Sequence, residues 1–200
     1  MISGMATTKP RVLKVSGKKT KEYTKKVSGA LGWQLRENGF CRMDAGSPTA
    51  VYNAVKAVST CNAMVEKAGV VLCADLSLRD IEANGTTIRG MEMMVREVFE
   101  ERPGNFIEFR VSSSSDEMHV ARAIVAKTDA GNGVDIKCAG ETAVNKCVNS
   151  VIMANHILKE SGKKMVFVPK WGTASTNDGS GEISIITVEA WRMECNTLTV

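Results

Sequence analysis

Thr49-Ala50-Val51-Tyr52-Asn53-Ala54-Val55-Lys56-Ala57-Val58 is written a second time, 93 positions on, as Thr142-Ala143-Val144-Asn145-Lys146-Cys147-Val148-Asn149-Ser150-Val151. In both copies small and apolar residues recur at three- and four-residue spacing, the pattern of a helix with one buried stripe. A motif that returns at such a distance marks an internal duplication. The fold therefore follows from what flanks each copy.

Upstream of the first copy, Phe40-Cys41-Arg42-Met43-Asp44 reads as a strand ending at Ala45-Gly46, and Pro48 suits the first turn of the helix. Before that strand, Tyr23, Val27, Ala30 and Leu31 form another helical stripe, closed by Asn38-Gly39, and Val12 to Ser16 is a short opening strand. Downstream, Gly69 ends the helix and Val70-Val71-Leu72-Cys73-Ala74 is an apolar run typical of a strand covered on both faces. Asn84-Gly85 turns the chain, and Met91 to Val98 returns. The second copy has the same surroundings. Ile107, Phe109 and Val111 alternate with Glu108 and Arg110, and Asp116 to Lys127 carries Val120, Ala123 and Ile124 on one face. Gly133 to Gly140 is a strand, the second helix spans Thr142 to Lys159, and Met165 to Val168 and Ile183 to Trp191 close the unit. The alignment sets Asp44-Ala45-Gly46 against Cys138-Ala139-Gly140. Both halves read βαβαββ, which places the chain in the α+β class with two tandem domains, 11–102 and 105–200, after an extension of residues 1–10. Glu101-Arg102-Pro103-Gly104-Asn105 is the turn-rich junction, too short to let the halves drift apart.

Composition agrees. Of 200 residues 44% are hydrophobic, 24% charged and only 5% aromatic, so the cores must be built from Val, Ile, Leu, Ala and Met. No apolar run approaches the ~18 residues of a membrane span. Residues 1–10 contain no apolar stretch of a secretory leader. Six cysteines without C-x-x-C spacing, and two histidines away from them, give no metal framework; buried reduced thiols and an intracellular, cytoplasmic setting are expected. Trp33 lies off the Val27/Leu31 stripe and should face outward or into a contact between the halves.

The charge is uneven. Residues 1–102 carry 16 Lys/Arg against 11 Asp/Glu, and residues 103–200 carry 10 against 11. Lys9, Arg11, Lys14, Lys18, Lys19, Lys21, Lys25 and Lys26 face only Glu22. Such a block suits an anionic partner, or a solvated basic face without one. Ser16-Gly17-Lys18-Lys19-Thr20 has the ending of a nucleotide-binding loop, but Val12 stands where its first glycine is required, so a nucleoside triphosphatase is excluded. A basic loop before a helix N-terminus still suits a phosphate oxygen. Ser112 to Ser115 and His119 lack the arrangement of a nucleophile and its base, and nothing suggests a catalytic, cofactor or metal site.

Val12-Leu13-Lys14-Val15-Ser16, Asp44-Ala45-Gly46, Asn53-Ala54-Val55-Lys56-Ala57-Val58 and Asp80-Ile81-Glu82-Ala83-Asn84-Gly85, in that order, resemble the stage V sporulation protein S family of bacteria. That family in turn resembles the Alba superfamily of chromatin and RNA-binding proteins. Ala143-Val144-Asn145-Lys146-Cys147-Val148 is similar to the second-helix motif of both. The resemblance implies a four-stranded mixed sheet with two helices on one face, pairing through a helix-bearing surface, and a phosphate-binding lysine pair at Lys18 and Lys19. Lys21 is added by charge, and Arg79 and Arg89, flanking the Asn84-Gly85 hairpin, fill the role of basic hairpin residues. The second half departs from this pattern: Ser112-Ser113-Ser114-Ser115-Asp116-Glu117 replaces the lysine loop, so it reads as a degenerate partner domain. Two functions follow as expectations. One is a non-enzymatic nucleic-acid-binding protein, for RNA more than DNA, that contacts phosphates. The other is a structural subunit of a ribonucleoprotein, cytoskeletal or ciliary assembly whose basic face meets an acidic protein surface. The two domains are expected to pair within the chain, with homo-oligomerisation left open.

Overall fold

The structure is a computed structural model and describes residues 11–83, 85–99, 101–175 and 181–195. The N-terminal extension and Asn84 of the hairpin turn lie outside the described residues. The first half runs β1 (Leu13–Val15), α1 (Lys21–Asn38), β2 (Phe40–Ala45), α2 (Pro48–Val65), β3 (Leu72–Ala83) and β4 (Thr86–Glu97). The second runs β5 (Phe106–Val111), α3 (Glu117–Asp129), β6 (Gly133–Cys138), α4 (Gly140–Leu158), β7 (Lys163–Ser175) and β8 (Glu182–Glu194). Each half is a βαβαββ unit.

Local chemistry sets the boundaries. Thr20, Ser47 and Asp116 cap α1, α2 and α3, each accepting the backbone N–H three residues on. α2 and α4 both tighten into one 3₁₀ turn that stops at Gly69 (φ 73°) and Gly162 (φ 67°), where the left-handed backbone requires glycine. Lys18 and Lys19 precede the Thr20 cap, so they belong to the loop ahead of α1 and not to the helix itself.

All eight strands form one sheet in the order β1-β2-β4-β3-β7-β8-β6-β5. In each half the first two strands pair in parallel and the hairpin adds antiparallel strands. The halves meet edge to edge at Ala74 and Phe167, paired antiparallel. Both residues stand five positions past their left-handed glycine, so the same position of the repeat meets itself across a pseudo-two-fold axis. Register also corrects the alignment. Val15 pairs with Ala45 and Val111 with Cys138, so Cys138 is the counterpart of Ala45, one residue away from the sequence match.

The four helices pack on one face of the sheet over a continuous core that includes Leu31, Met43, Met93, Ile124, Ile136 and Phe167. The packing of α2 against α4 joins the halves on that side. The Asn62 amide donates to the carbonyls of Leu72 (3.0 Å) and Pro169 (2.9 Å), and Trp171 Nε1 donates to Thr60 Oγ1 (3.3 Å). A second cluster lies on the opposite face, where strand alternation points Cys73, Val166, Val168, Trp191 and Met193. β4 lies inside the sheet and β5 at its far edge, so the connection must cross this face. Val98 and Phe106 pack on the cluster, Phe106 meets Trp191 edge to face at 6.2 Å, and Arg102 pairs with Glu189 at 2.5 Å. The junction is therefore a packed strap. Trp33, 55% exposed, faces outward in a groove lined by first-half residues; Trp171 is the tryptophan that bridges the halves.

Candidate nucleic-acid interface

The loop from Ser16 to Thr20 is pinned from beneath. The amide of Asn53, buried on α2, donates to the carbonyls of Ser16 (3.0 Å) and Lys18 (2.9 Å). The Ser16 N–H donates to the Tyr23 hydroxyl at 2.6 Å. Gly17 lies so close to α2 that a Cβ there would meet Ser47 Oγ at 3.3 Å and Thr49 Cβ at 3.4 Å. Held in place by these contacts, the loop turns its lysine side chains to solvent. Lys18, Lys19 and Lys21 are all exposed, and the Lys18 ammonium stands 6.0 Å from the Tyr23 ring.

The loop borders a cavity of about 190 Å³ at the seam between the halves, lined among others by Lys19, Lys21, Thr49, Tyr52, Lys56 and Glu141. Lys56 rests over the rings of Tyr52 (5.2 Å) and Trp171 (5.9 Å). Glu141, from the first turn of α4, accepts the Thr49 hydroxyl at 2.7 Å and lies 3.7 Å from Lys19 Nζ. Burial, and then the Glu141 charge, raise the Tyr52 hydroxyl above its ordinary pKa. Sequence reading missed Thr49, Tyr52, Lys56 and Glu141. Thr49, Tyr52 and Lys56 lie within the repeated motif, whereas Glu141 reaches them only through the packing of the two halves.

Arg79 and Arg89 are placed differently. Arg79 contacts Glu92 at 2.6 Å, and Glu92 also takes Arg42 at 2.5 Å. Arg89 lies directly across the hairpin from Asp80, with an ion pair at 3.4 Å. Among the described residues no contact joins either arginine to the lysine loop. The tie between the two regions is Lys14, whose ammonium donates to the Glu82 carbonyl at 3.2 Å. Arg79 and Arg89 stand 2.6 and 3.4 Å from their acids, closer than the 3.7 Å between Lys19 and Glu141, and so attract a phosphate less strongly than the lysine loop does.

In the second half the counterpart loop is built in reverse. Lys146 stands at the Asn53 position and its ammonium donates to the Ser115 carbonyl at 2.6 Å. Asp116 accepts the His119 N–H (2.7 Å), Glu117 accepts the Asn149 amide (3.0 Å), and the Ser112, Ser114 and Ser115 hydroxyls bond one another. Of the thiols, Cys41, Cys61, Cys73, Cys138 and Cys147 are buried and Cys195 is exposed. Burial pushes the Cys41 thiol up to about 12 and Cys61 up to about 11, far from the reactive thiolate.

The family model for stage V sporulation protein S (SpoVS) matches residues 11–98 and again 108–189. The chain belongs to the stage V sporulation protein S family. No match is found among curated proteins. The two SpoVS units coincide with the two βαβαββ halves, and the strap across the open face, with Arg102 in it, lies between them. Of the two SpoVS loops ahead of the first helix, only that of the first unit carries lysines. No helix among the described residues is long and apolar enough to cross a membrane.

Proposed function

We propose that this tandem SpoVS-family chain is a non-enzymatic nucleic-acid-binding protein that holds phosphates on Lys18, Lys19 and Lys21. The observation that carries the reading is a pinned loop with exposed cations: Asn53 and Tyr23 hold its backbone at Ser16 and Lys18, so the main chain need not be ordered when its lysines meet a phosphate. Lysine is a point charge, so these contacts position a backbone and read no base. The acidic counterpart in the second half leaves one cationic patch instead of a symmetric pair. A duplex laid across both units would meet Asp116 and Glu117, whereas a flexible single strand can wrap the first unit alone; this favours RNA over duplex DNA. Asp116 caps α3, Glu117 accepts from Asn149 and the serine hydroxyls bond within their own turn, so these side chains have structural partners, which supports a protein without catalysis. Buried thiols suit a reducing, cytoplasmic setting.

The test is fluorescence anisotropy with labelled single-stranded RNA and matched duplex DNA across a salt series. Binding should weaken with salt for every sequence alike, with a slope of about 0.7 per phosphate contact on single strands. Absence of retention near physiological salt would overturn the reading. It would favour the second one, a subunit of a larger assembly, for which a separate observation speaks: Trp33 and Met64, 55% and 71% exposed, flank a groove of about 550 Å³ that also holds Arg36 and Glu97.

A further inference from the structure

We propose that the seam cavity is a phosphate site built by both halves, in which the Glu141 carboxylate holds the phosphate position until a nucleic-acid strand displaces it. The inference rests on the nucleic-acid reading above and adds its regulation. The Thr49 hydroxyl and the Lys19 ammonium converge on the two carboxylate oxygens, at 2.7 and 3.7 Å, and a hydroxyl with an ammonium is equally a donor pair for a phosphate. Lys21 and Lys56 line the same cavity, so further positive charge faces the bound anion. Its volume of about 190 Å³ takes a phosphate group with several waters, each occupying ~30 Å³.

The occupant is loosely held. The Glu141 side chain is 31% exposed and Lys19 75% exposed, so their attraction is of the weak, water-screened kind. Once displaced, the carboxylate stays in the first turn of α4, where the helix dipole still favours it. The exchange trades one anion for another, and the strand wins by placing its neighbouring phosphates on Lys18 and Lys21 at the same time. The acid is specific to the second half, since its counterpart in the first is Pro48. The unit without a lysine loop thus contributes a competitor to the loop of the other.

The experiment uses the full chain and its Glu141→Gln variant, which keeps an acceptor for Thr49 and removes the charge. The probes are a short labelled single-stranded RNA and, as unlabelled competitor, inorganic pyrophosphate. Glu141→Gln should bind the RNA about two- to five-fold more tightly, the scale of one exposed charge pair. The gain should vanish when Lys19→Gln is added, and urea midpoints should show both variants folded. A gain competed by pyrophosphate at low concentration assigns the site to phosphate itself; a gain only the polymer can compete assigns it to a strand spanning several lysines. Equal affinity of wild type and Glu141→Gln, with Lys18→Glu/Lys19→Glu still weakening binding, overturns the competitor and leaves the nucleic-acid reading standing. No RNA binding by any variant overturns both.

Discussion

The two SpoVS units share every element, yet their loops ahead of the first helix have opposite charge. In the first, lysines face solvent and a neutral amide, Asn53, holds the loop from beneath. In the second, serines and acids face solvent and a lysine, Lys146, does the holding. The fold needs a donor from the second helix to satisfy the loop carbonyls and accepts either chemistry. The outer side chains are left to function, and only the first unit carries cations there.

The comparison breaks most readily at the seam. Ala74 and Phe167 are one position of the repeat, but only Phe167 fills volume. Phe167→Ala should cost about 3–5 kcal/mol in urea unfolding, against about 1 kcal/mol for Ala74→Gly. Similar losses would mean that the axis does not divide the packing so unequally.

Charge reversal is next. Lys18→Glu with Lys19→Glu should weaken RNA binding at least about tenfold and lower the salt slope by about 0.7 for each phosphate no longer held. Asp116→Lys with Glu117→Lys should give the second unit a weak site and cost about 1 kcal/mol of stability through removal of the cap. If the double Glu variant binds as wild type does, the cations do not mark the interface.

The open face carries a subtler likeness. Burial raises the carboxyl pKa of Asp44, with Arg42 opposing and Glu92 assisting; burial, then Glu189, raises that of Asp135. Both hold their proton more tightly in the folded chain. The stability this supplies is complete below the ordinary value of 3.8 and is lost as pH rises through the raised folded values. Asp44→Asn and Asp135→Asn should each flatten the fall of Tm between acidic and neutral pH. A flattening by one alone would show that the halves treat their buried acids differently.

The smallest effect separates two exposed tryptophans. Trp33→Ala should change stability by no more than about 0.5 kcal/mol, while Trp171→Ala, which removes the hydrogen bond to Thr60 across the seam, should cost about 1 kcal/mol. A larger loss at Trp33 would restore it as a contact between the halves.

Element order was legible because hydrophobic spacing and caps are local, and bounds such as Gly69 and Gly162 follow from backbone chemistry. The one-residue slip arose where Ala45-Gly46 and Ala139-Gly140 look alike but stand at different depths of their strands. The pairing of Arg89 with Asp80 was within reach: a two-residue turn at Asn84-Gly85 sets Ala83 against Thr86, and counting back sets Asp80 against Arg89. The Lys18-Lys19 loop was legible as a basic loop. Its pinning by Asn53 and its meeting with Glu141 were not, since both depend on contacts 35 or more residues apart and the second on the seam. A single strand pairing, Ala74 with Phe167, leaves no pattern in either residue.

That seam also sets a schedule for synthesis. Phe167 follows Ala74 by 93 residues, so at ~5–20 residues per second the β3 edge leaves the ribosome unpaired for about 5–20 seconds. Its sole intended cover is a strand not yet translated. On a crowded messenger a neighbouring nascent chain presents the same repeat, and an exposed strand edge accepts a like partner. The strap between the units keeps the second half of the same chain close to that edge, at a higher effective concentration than any neighbour.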